Sequence, residues 1–231
     1  MIARRVAAVR EQIARAAARA GRPPDDITLV AVSKTQPADA VREAFAAGLR
    51  HFGENKVQEA EGKIAALEDL RAAGLRWHMI GHVQSNKGRR AAELFDAVDS
   101  IDDVTLAKRL ERGAETARRQ LPVLIQVDLG KEATKFGLDE AHLFPTLEQL
   151  RGYKAVHVEG LMVLPPLSAD PEAARPYFRR LRELLEEARG QGLVRGRTLS
   201  MGMSHDFEVA IQEGATQVRV GTAIFGERKT P

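Results

Sequence analysis

The stretch Ile27-Thr28-Leu29-Val30-Ala31-Val32-Ser33-Lys34 (residues 27–34) decides the fold. Four consecutive apolar residues, two of them β-branched valines, read as a strand covered on both faces. Such strands belong to parallel sheets wrapped by crossover helices. Working outward, seven further runs have the same character: 51–55, 77–83, 96–101, 123–129, 158–164, 198–204 and 217–221. Amphipathic segments such as 38–48, 56–73, 103–119 and 176–189 lie between them. In the last of these, Phe178, Leu181, Leu184, Leu185 and Ala188 share one face, and Arg182 and Glu186 pair at i,i+4. Eight β/α units within 231 residues predict one α/β domain, 1–231, folded as a (β/α)8 TIM barrel. A doubly wound sheet would call for a Gly-x-Gly-x-x-Gly turn after the first strand, and Ser33-Lys34-Thr35-Gln36-Pro37 is not one. Residues 165–171, punctuated by prolines, read as a loop over one barrel end.

At the amino terminus, residues 1–22 are rich in arginine and nearly free of acids, as transit peptides are. Their apolar positions Ile2, Val6, Val9, Ile13, Ala16 and Ala20 nevertheless recur at helical spacing, and Gly21 and Pro23 close the pattern. The expectation is an additional N-terminal amphipathic helix.

Composition narrows the chemistry. With 44% hydrophobic and 29% charged residues the chain has globular proportions, and zero cysteines exclude disulfides, thiolate metal sites and cysteine nucleophiles. No apolar run approaches the ~20 residues needed to span a bilayer. The net charge is +3, with aromatics at 5% and basic residues spread beside acids, which argues against nucleic acid as a partner. A soluble, cytoplasmic protein without a membrane partner is expected.

Barrel proteins carry their functional groups at the carboxyl ends of the strands. Lys34 stands at the end of the first strand, on the face of Thr28, Val30 and Val32. Burial there would lower its pKa, the condition for an imine-forming lysine; the plainer reading is a lysine reaching out to water. Arg219 sits inside the apolar run 217–221, where a guanidinium needs a dedicated partner, Asp128 or Glu159 in the plainest reading. Gly221-Thr222-Ala223-Ile224-Phe225-Gly226 reads as a glycine turn opening a short helix, and the strand 7–8 rim of a barrel is a recurrent phosphate site. Ser200, Gly202 and Ser204 add two hydroxyls and a glycine on the neighbouring rim. A ligand with an aldehyde, a phosphate and a hydrogen-bonding ring atom satisfies lysine, cradle and arginine together, and pyridoxal 5′-phosphate is that ligand.

Other features carry less. His78 and His82 lack the glutamate of a zinc-binding helix motif, and Gly202-Met203-Ser204-His205-Asp206 lacks the closing glycine of a nucleophile elbow. Residues 86–90, Asn-Lys-Gly-Arg-Arg, read as a solvated basic loop, and Trp77 as core or rim packing.

The runs 29–34 (LVAVSK), 52–59 (FGEN-x-VQE), 77–87 (WHMIGHVQSNK), 200–211 (SMGMSHDFEVAI) and 218–226 (VRVGTAIFG) strongly resemble the pyridoxal phosphate homeostasis proteins. The resemblance runs nearly end to end, with no gap or substitution at the anchor positions. It implies a barrel of the alanine racemase barrel-domain type and a cofactor held as a covalent imine on Lys34. It further implies Arg219 against the pyridine nitrogen, with Ser200, Ser204, Gly221 and Thr222 as the phosphate cradle and Asn55 near the cofactor. The implied role is a monomer that buffers or delivers pyridoxal 5′-phosphate, maintaining vitamin B6 and amino-acid homeostasis, and that meets apo-enzymes transiently. No catalytic residue and no metal is implied. The alternative is a pyridoxal phosphate-dependent amino-acid racemase, which needs an acid/base group on each face of the substrate carbon. Beyond the eighth strand and the turn that follows it only residues 225–231 remain, so no second domain is expected to supply one. An aldolase-like barrel using Lys34 on a phosphorylated carbonyl substrate is the third reading.

Overall fold

A computed structural model describes residues 1–132 and 136–227. Among the described residues there are nine strands: β1 (Thr28–Val32), β2 (His51–Glu54), β3 (Arg76–Met79), β4 (Ala97–Ile101), β5 (Leu121–Asp128), β6 (Leu138–Asp139), β7 (Val156–Val163), β8 (Thr198–Met203) and β9 (Gln217–Val220). The helices are α1 (Ile2–Arg19), α2 (Ala38–Ala46), α3 (Val57–Ala66), α4 (Glu68–Ala72), α5 (Gly88–Leu94), α6 (Val104–Thr116), α7 (Glu140–Leu150), α8 (Arg175–Gly190), α9 (Phe207–Gln212) and α10 (Thr222–Phe225). All strand pairings are parallel. β1 pairs with both β2 and β9, and β4 with β5, so eight strands close into a barrel. The two-residue β6 is an addition on β5 that the sequence did not announce.

Strand alternation divides the side chains into two layers. Ala31, Phe52, Trp77, Val123, Leu161, Met201 and Val220 point outward and join the helices in one continuous core. Trp77 is fully buried there, 6.0 Å from Phe52 between ring centroids, so it is core rather than rim. Helix α1 supplies Ile2, Val6, Val9, Ile13 and Ala16 of the predicted stripe to the same layer, with Ala17 buried where Ala20, only partly buried, was expected. The inner layer is different. Val30 pairs in register with Arg219, and His78, Asp99, Ser200 and Gln217 are all buried polar groups.

Four sequence expectations need correction. The run 77–83 is a strand only as far as Met79. The first strand ends at Val32, and Ser33, Lys34 and Thr35 leave it as a turn in which Thr35 has φ of 64°. The helical segment 56–73 is broken at Leu67 into α3 and α4. Residues 86–90 are helical, not a loop. They form the end of a 3-10 turn and the start of α5, which packs on α6 so closely that a Cβ on Gly88 would lie 2.7 Å from the Arg109 Cβ. Arg90 there pairs with Glu61 and Glu93.

Candidate functional site

At the carboxyl end of the barrel is a cavity of about 310 Å³ whose walls include Val32, Lys34, Asn55, Ile80, Met203, Asp206 and Arg219. The loop at 165–171 covers it, as expected, with Leu167 92% exposed at the rim. Three residues thus meet in one space: Lys34, half-buried in the turn after β1, with Asn55 just past β2 and Arg219 on β9. Gly81 fixes Asn55, since a Cβ there would lie 2.4 Å from the Asn55 carbonyl oxygen.

Arg219 forms the inner wall. It is 3% exposed and pairs with neither Asp128 nor Glu159. Asp128 instead accepts from the Gly130 and Lys131 N–H groups of its own loop. Arg219 donates from Nη1 to Ser200 Oγ at 2.6 Å and from Nη2 to the Val163 carbonyl at 2.9 Å, both neutral acceptors. Burial pushes its pKa down to about 10, against the pull of Asp99 and Asp206. It is therefore cationic at neutral pH.

Behind Arg219 runs a chain of buried hydrogen bonds. Gln217 Nε2 donates to Ser200 Oγ at 2.9 Å and to Asp99 Oδ2 at 2.6 Å. His78 Nδ1 meets the same Asp99 oxygen at 3.1 Å, and its Nε2 lies 2.9 Å from His51 Nδ1. Burial, then the neighbouring His78, pushes the His51 pKa down to about 4. The carboxylate fixes one end of the chain, because Asp99 can only accept and His78 Nδ1 therefore donates to it.

The cradle residues divide. Ser200 is not on the rim. It sits on the inner face of β8 in register with Gln217, one layer below, and its hydroxyl serves Arg219. Ser204 lies in the turn after β8, while Gly221 and Thr222 lie where β9 passes into α10, on the same barrel end but outside the cavity wall. Gly221 abuts the wall from behind, because a Cβ there would be 3.3 Å from the Val32 Cβ. The elbow-like segment makes no triad: Asp206 accepts from the Met203 N–H, and His205 meets the Ala169 carbonyl. His82 pairs with Asp102 and stacks on Phe136 at 3.7 Å, apart from His78.

Sequence reasoning missed a second buried group beside Lys34. Ser33, Glu54 and Lys63 lie between the barrel and α3. Ser33 Oγ donates to Glu54 Oε1 at 2.6 Å, and Lys63 Nζ donates to the same oxygen at 2.7 Å. Burial raises the Glu54 pKa despite both partners, and Glu54 Oε2 has no hydrogen bond. One signal was available: Val57, Ala60, Lys63 and Ile64 form a single buried stripe, so a lysine occupies an apolar position.

A barrel with a lysine and a buried arginine at its mouth is the arrangement for which comparison with known proteins is informative. The family model described as alanine racemase, N-terminal domain, matches residues 5–229. A Pseudomonas aeruginosa protein named pyridoxal phosphate homeostasis protein is 48% identical over 227 residues, covering 98% of this chain and 96% of that one. An Aquifex aeolicus protein of the same name is 44% identical over 225 residues, covering 97% of each. The chain belongs to the pyridoxal phosphate homeostasis protein family, within the alanine racemase N-terminal-domain fold. Among solved structures, PipY of Synechococcus elongatus PCC7942 with PLP bound superposes with a TM-score of 0.87 at 44% identity, over 98% of this chain and 100% of that one. Alanine racemase of Corynebacterium glutamicum shares the fold (TM-score 0.67, 21% identity), and this chain covers 62% of it.

Proposed function

We propose that this protein holds pyridoxal 5′-phosphate as an imine on Lys34 and buffers or delivers it, without strong catalytic activity of its own. The carrying observation is the convergence of Lys34, in the turn after β1, and Arg219, on the neighbouring strand β9, on one cavity. The donor set fits the cofactor. A half-buried amine can capture an aldehyde. Arginine offers only donors and stays charged, so a ring nitrogen facing Arg219 must be an unprotonated acceptor. Ser204, Gly221 and Thr222 would take the phosphate at the adjoining rim, where it carries roughly −1.5 to −2 charges. Asn55 would lie beside the ring, and Ser200 would act through Arg219.

When bound, the cofactor supplies an electrophilic carbon and a ring that withdraws electrons from it. Arg219 limits that second property, because an unprotonated ring is a poor electron sink. The chain's residues thus favour retention over carbanion chemistry. PipY with PLP bound and the named relatives support the same reading. On it, residues 1–231 act as one cofactor-binding domain, a cytoplasmic monomer that meets apo-enzymes transiently and serves vitamin B6 and amino-acid homeostasis. Among the described residues no helix is long and apolar enough to cross a membrane.

The test is to load the purified protein with pyridoxal 5′-phosphate, offer it a panel of L-amino acids, and then mix it with an apo-enzyme that needs the cofactor. No turnover at enzymatic rates, with activation of the apo-enzyme, is expected. Racemisation at ordinary enzyme rates would establish the racemase alternative instead.

A further inference from the structure

The turn that carries Lys34 is gripped from behind. Lys63, 9% exposed in the buried stripe of α3, donates to the Ser33 carbonyl at 2.7 Å and to Glu54 Oε1 at 2.7 Å, and lies 2.9 Å from Glu59 Oε1. An ammonium has three N–H donors, and here each has an acceptor. Glu59 Oε1 in turn accepts the Thr35 N–H at 2.5 Å. That bond holds Thr35 in the left-handed region, which β-branched residues avoid. Burial opposes ionisation of Glu59, yet the hydrogen bonds from Lys63 and Thr35 hold its carboxyl below the usual range.

A buried ammonium could serve only to tie α3 to the barrel. Its acceptors point further. One is the carbonyl of residue 33, and another fixes the N–H of residue 35, so the backbone is held on both sides of Lys34. A third, Glu54, immediately precedes Asn55, which lines the same cavity. We propose that Lys63 is a positioning residue for Lys34, setting the turn from which the Lys34 amine is presented to an aldehyde. The inference rests on the reading of Lys34 as the cofactor lysine. In the step it governs, the neutral amine adds to the aldehyde carbon, the carbonyl oxygen leaves as water with both amine hydrogens, and a C=N bond forms. Rates of such additions depend steeply on orientation.

The unaltered protein and its Lys63→Met, Lys63→Arg and Glu59→Gln variants, all freed of cofactor, are mixed with pyridoxal 5′-phosphate across a range of pH. Timed quenching with borohydride reduces the C=N bond, and mass spectrometry then measures adduct on the peptide containing Lys34. The Met variant is expected to capture about tenfold more slowly, with a shifted pH midpoint. Glu59→Gln should slow capture by a smaller factor, and Lys63→Arg should restore most of the rate. A folded Met variant with the unaltered rate and pH profile overturns the proposal, as does a slower rate that only tracks the folded fraction. Should the Met variant not fold, an unchanged rate in Glu59→Gln overturns it. Absence of adduct on Lys34 in the unaltered protein overturns the reading of Lys34, and the inference falls with it. Adduct on Lys34 with unchanged capture in every folded variant overturns the inference alone.

Discussion

Among the described residues two cations are buried in this barrel, Lys63 and Arg219, and their surroundings are opposite. Lys63 lies in the outer layer against two carboxylates and a carbonyl, every N–H matched. Arg219 lies in the inner layer with hydrogen bonds to a hydroxyl and a carbonyl, and the nearest carboxylates act on it without a hydrogen bond. Lys63 is satisfied by the protein alone, so its energy goes into holding a turn. Arg219 retains donors and charge toward a cavity, so its energy is realised with a ligand. A buried charge is costly unless paired, and an unpaired one at a cavity wall marks where the partner belongs.

The same substitution at both positions should have opposite effects. Lys63→Met leaves Glu54 and Glu59 buried or half-buried without their cation, and unfolding in urea should show a loss of about 3–5 kcal/mol. Arg219→Met removes a cation that has no direct counter-charge, and the cofactor-free protein should change by no more than about 1 kcal/mol. Its affinity for pyridoxal 5′-phosphate should fall instead, as read by titration of the visible band. Equal stability losses would erase the distinction between the two sites.

The next effect comes from pH. The chain behind Arg219 ends in His51, whose pKa lies near 4 in the folded protein against an ordinary 6.5. Unfolding lets this imidazole take a proton, so the neutral group's contribution is whole above pH 6.5 and is lost as pH falls from 6.5 toward 4. About 2–3 kcal/mol is expected at ~1.4 kcal/mol per unit. Because carboxylates titrate over the same range, the measurement is the difference in urea midpoints between pH 7 and 4.5 for the protein and its His51→Gln variant. A variant with the same acid loss would contradict the assignment.

Smaller still is the strain at Thr35. Thr35→Gly relieves a left-handed β-branched residue while loosening the unfolded chain, and should raise stability by about 0.5 kcal/mol. At the bottom of the scale, Arg180 pairs with Glu140 on the surface, and Arg180→Ala should change stability by less than about 0.5 kcal/mol.

The two sites also differ in how far the sequence disclosed them. Lys34 and Arg219 were legible because each interrupts or ends an apolar strand, and eight such strands were legible because burial on both faces leaves long apolar runs. Lys63 was not, because a lysine on an amphipathic segment reads as solvated unless its place in the stripe is counted. Ser200 departs from expectation for a related reason: the motif puts it near the rim, but alternation along β8 turns it inward beneath Arg219. Asp99 and Gln217 meet across 118 residues, a pairing that barrel closure creates and no local pattern encodes. Helix α5 escaped notice because its buried residues, Gly88, Ala91, Ala92 and Leu94, are mostly small and sit beside three basic residues, Lys87, Arg89 and Arg90.

The most direct test is the visible absorbance of the protein with added pyridoxal 5′-phosphate, before and after borohydride, beside its Lys34→Ala variant. Expected are a visible band that borohydride abolishes, adduct mass on the peptide containing Lys34, and neither band nor adduct in the variant. A Lys34→Ala protein that still carries a covalent, borohydride-reducible cofactor would contradict the reading of Lys34 as the cofactor lysine.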